Sequence, residues 1–171
     1  MTYIIILNYN GYIDTLECIK SILKSNNKNY KIILLDNNSS DNSIFLIKKS
    51  FNKSKINFTD NINDLIDDIN VLIVSLKENL GYAKANNIGL SLAKKQSNCK
   101  YVWILNNDTL LNEYSLNNIV VAANNGDLKT IWGNKILYLN GKIQSIGGRV
   151  NRKFLFTRHN YFYKNNKEKK F

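Results

Sequence analysis

The chain has 171 residues, 44% of them hydrophobic and 11% aromatic, with no proline and a formal net charge of +11. That length suits one domain burying roughly 70% of its unfolded surface, and the apolar content excludes a disordered chain. The charge is uneven: +6 falls within Asn151–Phe171 and only +5 over the first 150 residues, which disfavours a nucleic-acid binder with a basic face spread over its body.

Ile4-Ile5-Ile6-Leu7 is too short for a signal-peptide core and follows no basic region. No stretch approaches the roughly 20 apolar residues of a membrane span. Cys18 and Cys99 are the two cysteines, far apart and outside any CxxC pair. This fits a reducing compartment and speaks against a disulfide framework or a zinc site. A cytoplasmic protein is expected.

In chain order, Tyr3–Leu7 reads as a strand buried on both faces, broken by Asn8-Tyr9-Asn10-Gly11. Asp14 or Thr15 is placed to cap a helix with Leu16, Ile19, Ile22 and Leu23 inward, Cys18 packing with them as a small hydrophobe. Lys31–Leu35 is a second buried strand, ending in Asp36-Asn37-Asn38-Ser39-Ser40-Asp41. Asp41 suits the cap of a helix over Ser43–Phe51. Asp36 closes a strand and is either an Asx turn or a carboxylate accepting hydrogen bonds from a ligand.

Asn52–Asn70 predicts a linker and a short acidic helix, with Ile62, Leu65, Ile66 and Ile69 inward and Asp64, Asp67 and Asp68 solvated. Val71–Leu76 is a third strand. Asn79-Leu80-Gly81 leads into a helix over Tyr82–Lys95, with Ala83, Asn87, Leu90 and Lys94 along one side.

Tyr101–Leu105 is a fourth buried strand that stops at Asn106-Asn107-Asp108. In open α/β sheets ligands sit outside the carboxyl ends of the strands, where these three residues fall. A carboxylate there can hold a hard divalent cation, although Asn-Asn-Asp equally suits a plain turn. A helix over Glu113–Ala123, buried through Leu116, Ile119 and Val120, follows. Asn140-Gly141 then predicts a hairpin between Thr130–Leu139 and Lys142–Ile146, and Gly147-Gly148 ends it. Alternating strands and helices through the first 125 residues predict an α/β fold with a mostly parallel sheet. The organisation expected is a ligand-binding domain over residues 1–150 and a basic, aromatic tail over 151–171.

The strand-end segments Asn8-Tyr9-Asn10-Gly11, Asp36 through Asp41, Asn79-Leu80-Gly81 with Asn86-Asn87-Ile88-Gly89, and Asn106-Asn107-Asp108 come in an order and spacing that resembles the family 2 glycosyltransferases. The resemblance covers roughly residues 2–159, and Leu7–Gly11 with Gly147-Gly148 looks like the bacterial rhamnosyltransferase-like branch. It implies the GT-A fold: a Rossmann-like, mostly parallel sheet flanked by helices, with a C-terminal antiparallel hairpin. It also implies an inverting enzyme that transfers a sugar from a UDP- or dTDP-sugar to a saccharide or lipid-linked acceptor in cell-surface polysaccharide synthesis.

Carried over residue by residue, the resemblance gives Asn8, Tyr9 and Asn10 to the first nucleotide-contacting turn, with Asn38 in the second. Asp36 would accept from the pyrimidine base, Gly81 would allow close backbone approach, and Asn87 would lie near the nucleotide. Asn106 would sit beside the ribose with Asn107 next to it. Asp108 would bind Mg²⁺ or Mn²⁺ as the last position of a DxD-type motif. Its first position is Asn106 here, leaving one carboxylate for a cation that completes its shell with water and phosphate oxygens.

The family's general base follows the glycine pair, whereas the acid after Gly148 in this chain is Glu168, within a lysine run. The catalytic base is therefore unknown, and a donor-binding half without its acceptor half is expected. His159 receives no role. The basic tail suggests peripheral contact with an anionic membrane, or a frayed end. Among other readings, a nucleotidyltransferase lacks its Gly-rich basic loop and a dehydrogenase lacks GxGxxG. A non-catalytic nucleotide-sugar-binding fragment and a nucleic-acid-binding protein stay as alternatives, separable by chelator and salt dependence.

Overall fold

A computed structural model of the chain describes residues 1–61, 70–127, 130–151, 156–159 and 163–165. The predicted acidic helix around Ile62–Ile69 lies outside these residues. So do Arg152, Lys153, Phe154, Tyr161, Phe162 and Lys167–Phe171 of the basic tail. The chain divides into two compact units, Met1–Tyr114 and Ser115–Phe171.

The first unit is a parallel sheet of β1 (Thr2–Asn8), β2 (Tyr30–Asp36), β3 (Phe58–Thr59), β4 (Val71–Ser75) and β5 (Tyr101–Asn106), in the order β3-β4-β2-β1-β5. Helices α1 (Tyr12–Leu23), α2 (Ser43–Lys53) and α3 (Gly81–Lys94) form the connections. β1 and β2 are continuous apolar runs because both of their faces are covered. Tyr3, Ile5, Ile33, Leu35 and Leu72 pack with Leu92 and Ala93 of α3. Ile4, Ile6, Ile32 and Leu34, which alternate to the other face, are equally buried, as are Ile19 and Ile22 of α1 and Ile47 and Phe51 of α2.

Two sequence expectations differ from the structure here. α1 begins at Tyr12, so neither Asp14 nor Thr15 caps it; Thr15 lies within the helix and is fully buried. β5, expected as a buried strand, borders the sheet among the described residues; its Leu105 is buried while Ile104 is exposed. α3 buries Ala85, Asn86, Gly89, Leu92 and Ala93 and leaves Ala83, Asn87 and Lys94 exposed. The reason is steric. A Cβ on Gly89 would stand 2.8 Å from Ile5 Cγ2 and 3.0 Å from Leu35 Cδ1, so the helix turns its smallest residues to the sheet. The two-residue strand β3, which pairs with β4, has no counterpart in the sequence reading.

In the second unit, α4 (Ser115–Asn125) buries Leu116. β6 (Ile136–Leu137) and β7 (Ile143–Ser145) form the hairpin expected at Asn140-Gly141. Gly141 adopts φ +77°, the left-handed conformation that such a turn asks of glycine. A second antiparallel pair, β8 (Gly148–Asn151) with β9 (Phe156–His159), extends ordered structure into the segment expected to be tail.

Candidate active site at the carboxyl edge of the sheet

Strand register brings the sequence-predicted residues to one edge. Asn8 stands opposite Asp36, Asp36 opposite Ser75, and Asn106 opposite Leu7 beside Asn8. The chain builds outward from β1 through β2 to β4, then crosses back to β5 on the other side of β1. The strand order therefore reverses between β1 and β5, where open α/β sheets form their ligand crevice. Asn8 and the Asn106-Asn107-Asp108 corner flank that point.

Asn8 and Asp36 form the buried floor. The Asn8 Nδ2 donates to Asp36 Oδ1 at 2.7 Å and to Ser39 Oγ at 3.1 Å. The Ser39 hydroxyl donates to the same Oδ1 at 2.6 Å, and the Ser39 N–H to Asp36 Oδ2 at 3.0 Å. Asp36 is thus an Asx-type turn former as well as a strand-end carboxylate. Two donors engage its Oδ1, so further hydrogen bonding falls chiefly to Oδ2.

Above this floor, the left-handed Asn10 (φ 52°) points its Oδ1 at the N–H groups of Ser40 (2.8 Å) and Asp41 (3.3 Å). Its own N–H donates to Ser39 Oγ at 2.9 Å. The first two loops are stitched together in this way, with Tyr9 exposed beside them. Asn38 is also left-handed (φ 61°), as Asn tolerates. Asp41 accepts from the Ser43 N–H at 2.9 Å in an Asx turn, but the helix N-cap is Asn42, so Asp41 is not the cap that the sequence suggested.

Asn37 ties the second loop to the third: its Nδ2 donates to Asn79 Oδ1 at 2.8 Å and its Oδ1 accepts from the Leu80 N–H at 2.9 Å. Gly81 starts α3 at φ +72° with open space where a Cβ would be, so its glycine is required by backbone conformation. Asn87 is exposed on α3. Its neighbour Asn86 is the buried one, donating to Tyr82 O at 2.9 Å while its Oδ1 has no hydrogen-bond partner.

The fourth loop differs in character. Asn106 and Asp108 are exposed and Asn107 is half-buried. The Tyr82 hydroxyl donates to Asn106 Oδ1 at 3.0 Å, linking the first turn of α3 to the end of β5. Asp108 makes no hydrogen bond or ion pair with the described residues, unlike the internally engaged Asp36. Beneath the corner lies Cys18, whose thiol reaches Asn106 O at 3.7 Å. Burial pushes that thiol up to about 12; the Thr109 N–H opposes the shift and the Asp108 carboxylate adds to it.

A single free carboxylate beside an amide oxygen fits a cation that takes its remaining ligands from water and phosphate. No cluster of three or more His, Cys, Asp or Glu side chains suited to a metal exists among the described residues. Nor is any of their helices long and apolar enough to cross a membrane. The sequence reading missed the inward role of Thr15, because a Thr after a Gly-rich break reads first as a helix cap.

Comparison with known proteins fits this geometry. The family model described as Glycosyl transferase family 2 matches residues 3–169. Glycosyltransferase GlyG of Streptococcus pneumoniae is 28% identical over 130 residues, covering 76% of this chain and 37% of GlyG. Among solved structures, S. aureus TarS aligns with a TM-score of 0.54 at 19% identity, over 72% of this chain and 32% of that one. TarS in complex with UDP-GlcNAc aligns at 0.54 and 16% identity, over 81% of this chain and 41% of that one. The mannosyltransferase PcManGT from Pyrobaculum calidifontis, in complex with GDP-Man and Mn²⁺, aligns at 0.53 and 18%, over 70% and 31%. The chain spans between about a third and two fifths of the length of these relatives.

Proposed function

The chain belongs to glycosyl transferase family 2, and from that premise we propose that it binds a UDP- or dTDP-sugar at the carboxyl edge of its sheet for inverting transfer of the sugar. The acceptor in this reading is a saccharide or lipid-linked saccharide of cell-surface polysaccharide synthesis. The Leu7–Gly11 turn and the glycine pair Gly147-Gly148 support a rhamnosyl-type donor.

The observation that carries the reading is the contrast between two strand-end carboxylates. Asp36 is buried and engaged by Asn8 and Ser39, whereas Asp108 is exposed and uncommitted among the described residues. In this assignment Asp36 offers Oδ2 to the base, and Asn8, Tyr9, Asn10 and Asn38 shape the nucleoside turn. Gly81 and Asn87 lie on the α3 side, and Asn106 sits beside the ribose with Asn107 next to it. Asp108, with Asn106 Oδ1 beside it, would hold Mg²⁺ or Mn²⁺. Such a cation supplies Lewis-acid stabilisation for the charge developing on a diphosphate leaving group. The chain's own contribution is to orient the donor: the stitched first and second loops fix the nucleoside end, and the fourth loop presents its carboxylate to the diphosphate end.

Titration calorimetry with UDP and dTDP, in Mn²⁺ and in chelator, tests this assignment. Parent protein should bind nucleotide in Mn²⁺ and lose most of that affinity in chelator, and Asp108→Ala should bind equally weakly in both. Equal affinity of Asp108→Ala and parent in Mn²⁺ refutes the metal assignment. Nucleotide diphosphate release with and without a saccharide acceptor separates transfer from donor binding alone.

A further inference from the structure

One face of α1 carries a row of small polar side chains that the donor-binding reading does not use. Thr15, Cys18 and Ser21, with Ser25 just beyond the helix end, are spaced three to four residues apart and so line one side. Each meets the segment that carries the fourth loop. Thr15 Oγ1 accepts from Asn107 Nδ2 at 3.1 Å, and the Cys18 thiol reaches Asn106 O at 3.7 Å. Ser21 Oγ accepts from the Leu111 N–H at 3.0 Å, and Ser25 Oγ donates to Glu113 O at 3.3 Å. The segment from Asn106 to Glu113 is therefore fastened along α1 at four successive points.

Thr15, which meets Asn107 next to Asp108 in sequence, is the point that also reaches across the site. Its hydroxyl is fully buried and lies 2.8 Å from Asn8 Oδ1, with Gly11 O as a second acceptor at 2.9 Å. Asn8 in turn donates to Asp36 Oδ1. A continuous hydrogen-bonded row, Asp36–Asn8–Thr15–Asn107, thus runs beneath the sheet edge from the nucleoside-side carboxylate to the residue beside Asp108. Gly11 leaves the room this row needs, since a Cβ there would stand 3.1 Å from Asn107 Nδ2.

We propose that Thr15 is a positioning residue: through Asn107 it fixes the Asn106-Asn107-Asp108 corner so that the Asp108 carboxylate faces the diphosphate–cation position. The proposal rests on the donor-binding reading above. Without the Thr15 hydroxyl, Asn107 loses its acceptor and Asn8 Oδ1 its donor, and the corner is free to turn Asp108 away.

The test is Mn²⁺ affinity at saturating UDP, read from the electron paramagnetic resonance signal of free Mn²⁺, with urea denaturation alongside. Thr15→Val keeps shape and volume and should weaken Mn²⁺ roughly tenfold, the scale of one buried hydrogen bond lost with its partner left unsatisfied. Thr15→Ser restores the hydroxyl and should return affinity to within about twofold of parent, a rescue that loss of packing does not predict. Ser25→Ala, on the same row but remote from the corner, should lower stability and leave Mn²⁺ affinity unchanged. Asn107→Ala breaks the same contact from the solvent side and should weaken Mn²⁺ to a similar extent, giving a readout if Thr15→Val does not fold. Mn²⁺ affinity within about twofold of parent in Thr15→Val, or in Asn107→Ala where that variant alone folds, overturns the inference while the donor-binding reading stands. A parent protein showing no Mn²⁺-dependent UDP binding overturns both.

Discussion

The pairing of Asn8 with Asp36 makes Asn8→Asp a sharp test of the buried floor. The substitution is isosteric, so it opens no cavity, but it sets two carboxyl groups 2.7 Å apart at positions almost fully shielded from water. With an effective dielectric near 20, two full charges at that distance repel by about 6 kcal/mol. Keeping one proton on a carboxyl of ordinary pKa near 3.9 costs about 4 kcal/mol at pH 7, at 1.36 kcal/mol per unit. The second figure is the smaller, so the pair retains a proton at neutral pH.

The protonated form donates an O–H to Asp36 Oδ1 much as the Asn8 amide does, which preserves the fold at a pH-dependent cost. The sign follows from linkage. The pair's folded pKa is raised, the unfolded chain releases its proton above about pH 4, and stability is lost as pH rises from there. The destabilisation relative to parent should be about 1.5 kcal/mol at pH 5 and about 4 kcal/mol at pH 7, a slope near 1.4 kcal/mol per unit. Urea unfolding of parent and variant at half-unit steps from pH 4.5 to pH 7.5 measures it. A difference that stays flat across that range would refute the contact and the dry environment assigned to it.

Gly89→Ala places a methyl group within 2.8 Å of Ile5 and 3.0 Å of Leu35. Overpacking of about 1–3 kcal/mol should outweigh the ~1 kcal/mol helix-propensity gain, lowering Tm in calorimetry by about 2–4 °C per net kcal/mol lost. Burial raises the Cys18 thiol from 9.0 to about 12 and the Tyr30 phenol from 10.0 to about 12. The unfolded chain ionises first, so their stabilisation is full below about pH 9 and lost as pH rises towards 12. Urea midpoints should fall steadily above pH 9, and Cys18→Ala should flatten the first part of that fall. Cys18 should also resist iodoacetamide at pH 8 until urea unfolds the chain.

The parallel sheet was legible because β1, β2 and β4 are unbroken apolar runs, which only a strand covered on both faces sustains, and because each ends abruptly at Asn, Asp or Ser. The same abruptness marked the carboxyl edge of the sheet, where β1 ends at Asn8 and β2 at Asp36, with Asp108 two residues past the end of β5. What the sequence determined, then, was the alternation of elements and the chemistry available at one edge.

Tertiary structure decided the rest. Local rules made Thr15 a cap, because a cap and a buried hydroxyl look alike until the partner 92 residues away is in place. The buried side of α3 followed Gly89 and its fit against Ile5 and Leu35, a steric fact that hydrophobic periodicity does not encode. Strand-end residues of like composition were sorted in the same way, Asp36 becoming internally engaged and Asp108 exposed. Register brings Asn8, 28 residues away in sequence, to the first carboxylate and leaves the second exposed, and that long-range contact exists only once the sheet has formed.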